Sequence, residues 1–320
     1  CPIELLTGVR YVITLDADTE LPRGAARKLV SAMAHPLNRP VVDPASKRVV
    51  RGYGVIQPRV GTTPQSSRRS LFSRISAGAP GIDPYTTAVS DVYQDLFAEG
   101  SYVGKGIYDV RAFATALEGR VPENSLLSHD LFEGLFARAA LASDIEVLDD
   151  QPASYAVEAR RQHRWMRGDY QLLPRLLQRS GLPWFSLFKA LDNLRRALLA
   201  PSLVTSLVVA VAFAPAAVKL VVFVTLLVSF TQVLVRLFSN LVRPPEQDMA
   251  LVRWPLLWGD FRTNSARSLV NLTFLLDGAF LAVDAVVRTL YRLTVSRTRL
   301  LEWTSTGQAE RLFKQARGVP

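Results

Sequence analysis

One cysteine, Cys1, stands in 320 residues. That excludes an internal disulfide framework and any zinc site built on thiolates. Histidine is nearly as scarce, and His35, His129 and His163 fall at no metal-ligand spacing. No recognisable motif interleaves base-stacking aromatics with the basic residues, so nucleic acid is the weaker explanation of a net charge of +10. An anionic membrane surface or an anionic substrate remains. A starting Met and a signal peptide are lacking too. The chain runs from Cys1-Pro2 to Gly318-Val-Pro320 and reads as a fragment of something longer.

What is present is apolar. Hydrophobic residues make up 49% of the chain, and the mean hydropathy of +0.15 is high for a soluble protein. The length allows one large or two moderate domains. In the first half, strand-like and helix-like stretches alternate. Val9–Leu15 reads as a buried strand, Ala25–Met33 as a helix and Gly54–Pro58 as a strand. Gly61–Tyr85 lacks clear periodicity and reads as a long surface excursion, and Asp91–Phe97 is short and helix-like. Ser101–Gly106 reads as a strand entering a glycine-flanked turn, Asp109–Leu117 as a helix, Asp144–Leu148 as a strand and Glu158–Leu177 as a helix. Such alternation predicts an α/β unit with a mostly parallel sheet.

Three groups of side chains carry possible chemistry. Asp16-Ala-Asp18 ends an apolar run, where an α/β sheet binds ligands. Paired acids there suit a hard cation such as Mg²⁺ or Mn²⁺ with a substrate diphosphate, or form a solvated turn. Asp130, in Ser128-His129-Asp130-Leu-Phe-Glu133, opens an amphipathic helix, as a general base or simply as an acid suited to a helix N-terminus. Arg161, Arg164 and Trp165 lie in Arg161-Gln-His-Arg-Trp165, where guanidinium groups can grip phosphate oxygens and an indole can pack on a sugar; the bland reading is a basic face and a core Trp. Gly104-Lys105-Gly106 lacks the Walker spacing and is no P-loop.

The composition changes after Pro183. Trp184, Phe185, Phe188, Leu191 and Leu194 line one helix face opposite Lys189, Asp192, Arg195 and Arg196, the pattern of an interfacial helix. Ala197–Ala214 and Leu220–Val235 are almost wholly apolar, near the lower limit for a span, and read as a transmembrane hairpin. Arg195, Arg196, Arg236 and Arg243 flank it and only Lys219 lies in its loop, which puts the soluble part in the cytoplasm. Leu269–Val287 contains Asp277 and Asp284, so it is expected at the interface or spanning with a polar stripe turned toward protein. Arg288, Arg292, Arg297 and Arg299 suit an anionic leaflet. The expected organisation is a catalytic part over 1–180, an interfacial helix over 181–196, a transmembrane hairpin over 197–238 and an interfacial or third membrane helix with a basic tail over 239–320.

The order of these signals resembles that of processive, membrane-bound family-2-type glycosyltransferases, which carry an Asp-x-Asp, a catalytic Asp and a Gln/Arg-x-x-Arg-Trp motif. Further stretches make the likeness closer. With His35-Pro-Leu-Asn-Arg-Pro40, Gly52-Tyr-Gly-Val-Ile-Gln-Pro-Arg59, Glu99-Gly-Ser-Tyr-Val-Gly-Lys-Gly-Ile-Tyr-Asp109, Ser128–Gly134, Asp284–Arg292 and Leu300-Leu-Glu-Trp303, the chain resembles the glycosyltransferase region of cyclic β-1,2-glucan synthases over nearly its whole length. The resemblance implies a partial GT-A, Rossmann-like fold followed by interfacial and transmembrane helices. It implies inverting transfer of glucose from UDP-glucose to a growing β-1,2-glucan, with Mg²⁺ or Mn²⁺, at a bacterial inner membrane. Asp16 and Asp18 would be the metal and diphosphate ligands, Asp130 the general base with Glu133 in support, Arg161, Arg164 and Trp165 the diphosphate and acceptor-channel motif, and Gly104-Lys105-Gly106 an acceptor-side loop. A uridine-binding half would precede this segment and a phosphorylase-like region follow it, so the fragment alone is expected to bind UDP-glucose weakly and to be inactive. The alternatives are a synthase of another hexose polymer and an inactive membrane-associated fragment.

Overall fold

The computed structural model describes residues 8–77, 91–121, 124–177, 181–242, 250–304 and 307–309. Residues 78–85 of the expected surface excursion, and Arg243, lie outside the described residues. The first part runs β1 (Tyr11–Thr14), β2 (Thr19–Glu20), α1 (Ala25–Ala34), β3 (Val41–Val42), β4 (Val49–Arg51), β5 (Val55–Thr62), α2 (Pro64–Arg68), α3 (Leu71–Ser76), α4 (Val92–Phe97), β6 (Gly106–Asp109), α5 (Val110–Leu117), α6 (Asp130–Ala137) and β7 (Ala139–Asp149). Among the described residues, helices then follow without strands: α7 (Tyr155–Gln171), α8 (Leu173–Leu177), α9 (Trp184–Ala197), α10 (Leu199–Phe213), α11 (Val218–Ser229), α12 (Thr231–Val242), α13 (Ala250–Thr273) and α14 (Leu275–Tyr291).

The α/β class is as the alternation predicts. The main sheet has the order β1-β6-β5-β7-β2. Its longest ladder, β5 on β7, is parallel, from Val55 opposite Ala139 to Thr62 opposite Asp149. Shorter antiparallel ladders join β1 to β6, β5 to β6 and β2 to β7. Neighbouring strand residues point to opposite faces, and the core divides accordingly. Ile56, Ile107 and Ala140 pack with Leu29 and Met33 of α1. Val55 and Ala139 turn the other way, to Phe132, Leu135 and Phe136 of α6, Tyr170 of α7 and Leu194 of α9.

Local chemistry explains several element boundaries. Asp91 accepts hydrogen bonds from the Tyr93 and Gln94 amides at the start of α4, and Asp109 does the same for Ala112 at the start of α5. The excursion after Gly61 holds two short helices that periodicity missed. They are too short to show a stripe and are set by caps, Thr63 for α2 and a Ser70–Ser73 capping box for α3. The expected strand over Ser101–Gly106 is displaced: pairing begins only at Gly106.

The apolar runs of the expected hairpin fold as bent helices. Among the described residues no single helix is long and apolar enough to cross a membrane. Helices α10 and α11 have 15 and 12 residues, or about 22 and 18 Å against the ~30 Å of a hydrocarbon core. A short 3₁₀ turn over Pro215–Ala217 joins them. Three bent pairs reach the required length and apolar composition together: α9 with α10 at 48°, Pro215–Ser229 with Thr231–Phe238 at 60°, and Leu257–Thr273 with Leu275–Ser296 at 62°. Their outer residues are strongly exposed, among them Val211, Phe213, Leu220 and Phe223.

Candidate functional site

The sheet register builds the site. Strand β1 ends with Thr14 opposite Gly106 of β6. Asp16, just past the end of β1, and Lys105, just before β6, therefore meet. Lys105 Nζ lies 2.6 Å from Asp16 Oδ2. Strand β2 carries the chain on to β7, with Thr19 opposite Asp149, and Lys105 Nζ lies 3.0 Å from Asp149 Oδ2 as well. Thr19 Oγ1 donates to Asp149 Oδ1 at 2.6 Å. The Lys105 side chain is 2% exposed. Burial alone would lower its pKa, but Asp149 and Asp16 outweigh burial and hold the ammonium above its ordinary range.

Asp18 feels the same group of charges. Although Asp18 is exposed, partial desolvation pushes its carboxyl up, helped by Asp149 and Asp16 and opposed by a backbone hydrogen bond and Lys105. Two carboxylates, Asp16 and Asp149, thus share one buried ammonium, and Asp18 feels all three charges. The surplus negative charge and the all-oxygen donor set fit a hard divalent cation, with Asp16 and Asp18 as the residues that would hold it.

Asp130 opens α6 against the other side of this group. Gly104, at φ +88°, brings bare backbone onto its carboxylate: a Cβ there would stand 3.0 Å from Cγ, Oδ1 and Oδ2 alike. Burial pushes the Asp130 carboxyl up to about 6, Glu133 and Asp16 add to the shift, and His129 and Lys105 oppose it. His129 Nδ1 sits 2.6 Å from Glu133 Oε1, a contact that raises the imidazole pKa. Glu133 therefore engages His129, one turn behind Asp130, and adds negative charge beside it. His129, Asp130 and Glu133 also lie close enough to share a cation.

Helix α7 places the Arg-x-x-Arg-Trp residues. Glu158 pairs with Arg161 at 2.7 Å, and the Arg161 guanidinium stacks 4.8 Å from the Trp165 ring centre. Arg164 stacks at 4.8 Å on Trp303, near the carboxyl end of the described chain. The contacts seen for Arg161, Arg164 and Trp165 are thus within α7 and with this late segment, not with Asp16, Asp18 or Asp130. The carboxyl end of α7 does approach Asp130: a Cβ on Gly168 would stand 2.5 Å from that of Ser128.

Helix α14 lies along α7, and its polar stripe faces protein. Tyr155 donates to Asp277 at 2.7 Å and stacks on Phe274 at 3.7 Å. His163 Nε2 lies 2.8 Å from Asp284, which also holds Arg288.

Sequence reasoning missed Asp149, which directly follows the expected strand Asp144–Leu148, although an acid at the carboxyl end of a parallel strand is the signal that singled out Asp16 and Asp18. It also missed Tyr102, whose hydroxyl lies 3.0 Å from Thr14 Oγ1. Asp169 is a third: burial pushes it up to about 7, with Asp130 among the charges that add to the shift. For neither of these does spacing carry a signal.

No family model matches the chain. The chain is related to the cyclic β-(1,2)-glucan synthase NdvB of Rhizobium meliloti strain 1021, with 43% identity over 311 residues, 95% of the chain. It spans only 11% of that relative's length.

Proposed function

From a chain related along nearly its whole length to a segment of a cyclic β-1,2-glucan synthase, we propose that it is the carboxyl-terminal part of the catalytic domain of a membrane-bound GT-A glucosyltransferase, with membrane helices after it. Its donor is UDP-glucose, its acceptor a growing β-1,2-glucan, and its transfer inverting. The observation that carries the reading is the convergence of Asp16, Asp18, Asp149 and Lys105 beside an Asp130 whose carboxyl is pushed up to about 6.

In this reading Asp130 takes the proton of the acceptor hydroxyl. The hydroxyl oxygen bonds to the anomeric carbon of glucose from the face opposite the diphosphate. The bond from that carbon to the diphosphate oxygen breaks, and UDP leaves with the electron pair. A base with a pKa near the working pH is deprotonated often enough to act, and still holds the proton well. Gly104, with no Cβ, leaves room for the Asp130 carboxylate against the backbone. Lys105 restrains Asp16 and Asp149, and it opposes the rise of the Asp130 pKa. A Mg²⁺ or Mn²⁺ held by Asp16 and Asp18 would supply neutralisation of the leaving diphosphate. Arg161, Arg164 and Trp165 serve the acceptor side and the diphosphate.

The bent pairs beginning with α9 carry the enzyme in the bilayer, with the sheet on the cytoplasmic face of a bacterial inner membrane. Their length, composition and exposed apolar side chains support this. The test is radiolabelled UDP-glucose supplied to membranes from cells expressing the complete reading frame, followed by linkage analysis. β-1,2-Linked product lost in D130N supports the reading. Product of another linkage refutes the acceptor assignment, and full activity in D130N refutes the base.

A further inference from the structure

Arg164, Arg167 and Gln171 stand at i, i+3 and i+7 on one face of α7, and all three meet the segment Leu300–Trp303. Arg164 stacks on Trp303. Arg167 donates to the Glu302 carbonyl at 2.8 Å and the Leu300 carbonyl at 3.3 Å. Gln171 Nε2 donates to the Leu300 carbonyl at 2.9 Å. From the other side, Arg292 donates to the Arg299 carbonyl at 2.6 Å and to the Glu302 carboxylate at 2.7 Å. The segment is therefore held at several backbone and side-chain atoms.

Gln171 also reaches in a second direction. Its Oε1 accepts from the Leu127 amide at 2.7 Å, three residues before Asp130. The side chain is 1% exposed, so neither end has water as a substitute partner. One turn earlier, Gly168 lets α7 approach Ser128 so closely that the loop between Leu127 and Asp130 has little slack on that side.

We propose that Gln171 is a positioning residue: its amide ties the Leu300–Trp303 segment to the Leu127–His129 loop and thereby sets where the Asp130 carboxylate stands. The inference rests on Asp130 being the base. Only an uncharged side chain with a donor and an acceptor on one carbon can serve both partners. Glutamate keeps the acceptor for Leu127 and, when ionised, presents a charged oxygen to the Leu300 carbonyl, so the Q171E measurements are made at a pH where it is ionised. Leucine keeps the bulk and loses both bonds, leaving a buried amide unpaired.

The variants Q171E and Q171L separate the two arms. Hydrogen exchange on the whole chain reads the structural link. Protection of the Leu127 amide is expected to survive in Q171E and to fall at least about tenfold in Q171L, the loss of roughly one hydrogen bond. Exchange over 297–304 is expected to rise in both. In membranes expressing the complete reading frame, the kcat for glucose transfer is expected to fall about tenfold in Q171E and up to ~100-fold in Q171L, the scale of an ångström-size misplacement. The KM for UDP-glucose is expected to stay within twofold. Unchanged Leu127 protection in Q171L overturns the bridge. Lost protection with kcat intact, or a loss confined to KM, overturns the positioning role. If Q171L does not fold, Q171E decides: wild-type kcat with raised exchange over 297–304 overturns the coupling. Full transfer by D130N would instead remove the base while leaving the exchange result standing.

Discussion

Replacing Lys105 by methionine tests the electrostatics on which the site depends. The change preserves length and apolar stem and removes only the ammonium. Breaking a buried ion pair from one side costs about 3–5 kcal/mol. Asp16 is 56% exposed and has water as a substitute partner, whereas Asp149 is 18% exposed and has little. The lower end, about 3 kcal/mol, is therefore the reasonable figure, and it corresponds to roughly 6–12 °C in Tm for a domain of about 150–250 residues. The second consequence is more diagnostic. With the ammonium gone, Asp16, Asp18 and Asp149 present their full charge to any cation. Mn²⁺ is expected to stabilise K105M more than the wild type, with each hundredfold excess over Kd worth about 2.7 kcal/mol. Thermal melts of both proteins, with and without Mn²⁺, read both effects. A variant that melts at the wild-type temperature refutes the charge balance. Equal stabilisation of the two by Mn²⁺ refutes competition from Lys105, and stabilisation of neither refutes the cation site.

Other expectations follow from the same geometry. Gly104→Ala puts a Cβ on the Asp130 carboxylate at a left-handed φ; we expect a loss of about 1–2 kcal/mol in a denaturation midpoint and a fall in transfer rate with UDP-glucose binding retained. Transfer in the wild type is expected to fall as pH drops through about 6, where Asp130 takes up its proton, and a pH–rate profile without that acid limb would count against Asp130. The linked stability runs the other way: a carboxyl raised from 3.8 to about 6 in the fold makes the native chain bind the proton more tightly, so its contribution to stability falls as pH rises between those values. Asp16→Ala with Asp18→Ala is expected to abolish Mn²⁺-dependent stabilisation measured by calorimetry. Asp277→Asn and Asp284→Asn together remove charge from the α7–α14 contact, and faster proteolysis between the two helices is the expected readout.

How much of this was legible beforehand depended on whether the cause was local. The Asp16-Ala-Asp18 turn after an apolar strand and the acid at the start of α6 are statements about adjacent residues, and the structure has both. So is the amphipathic pattern of α9. The short helices α2 and α3 escaped because two turns show no period. The bends escaped because apolar composition measures length of run, while the bends at Leu198, Phe230 and Phe274 are properties of backbone and packing.

Sequence alone determined which residues carry charge near a strand end or helix start, and in what order. It could not determine who neutralises whom. Lys105, between two glycines, looked like a loop residue until the antiparallel register of β1 and β6 set it against Asp16, and the pairing of β2 with β7 brought Asp149 to its other side. Gln171 sits 44 residues from Leu127 and 129 from Leu300, and nothing local links the three. Sheet register and helix packing depend on contacts far apart in the chain, and those contacts decided the partners of each charge.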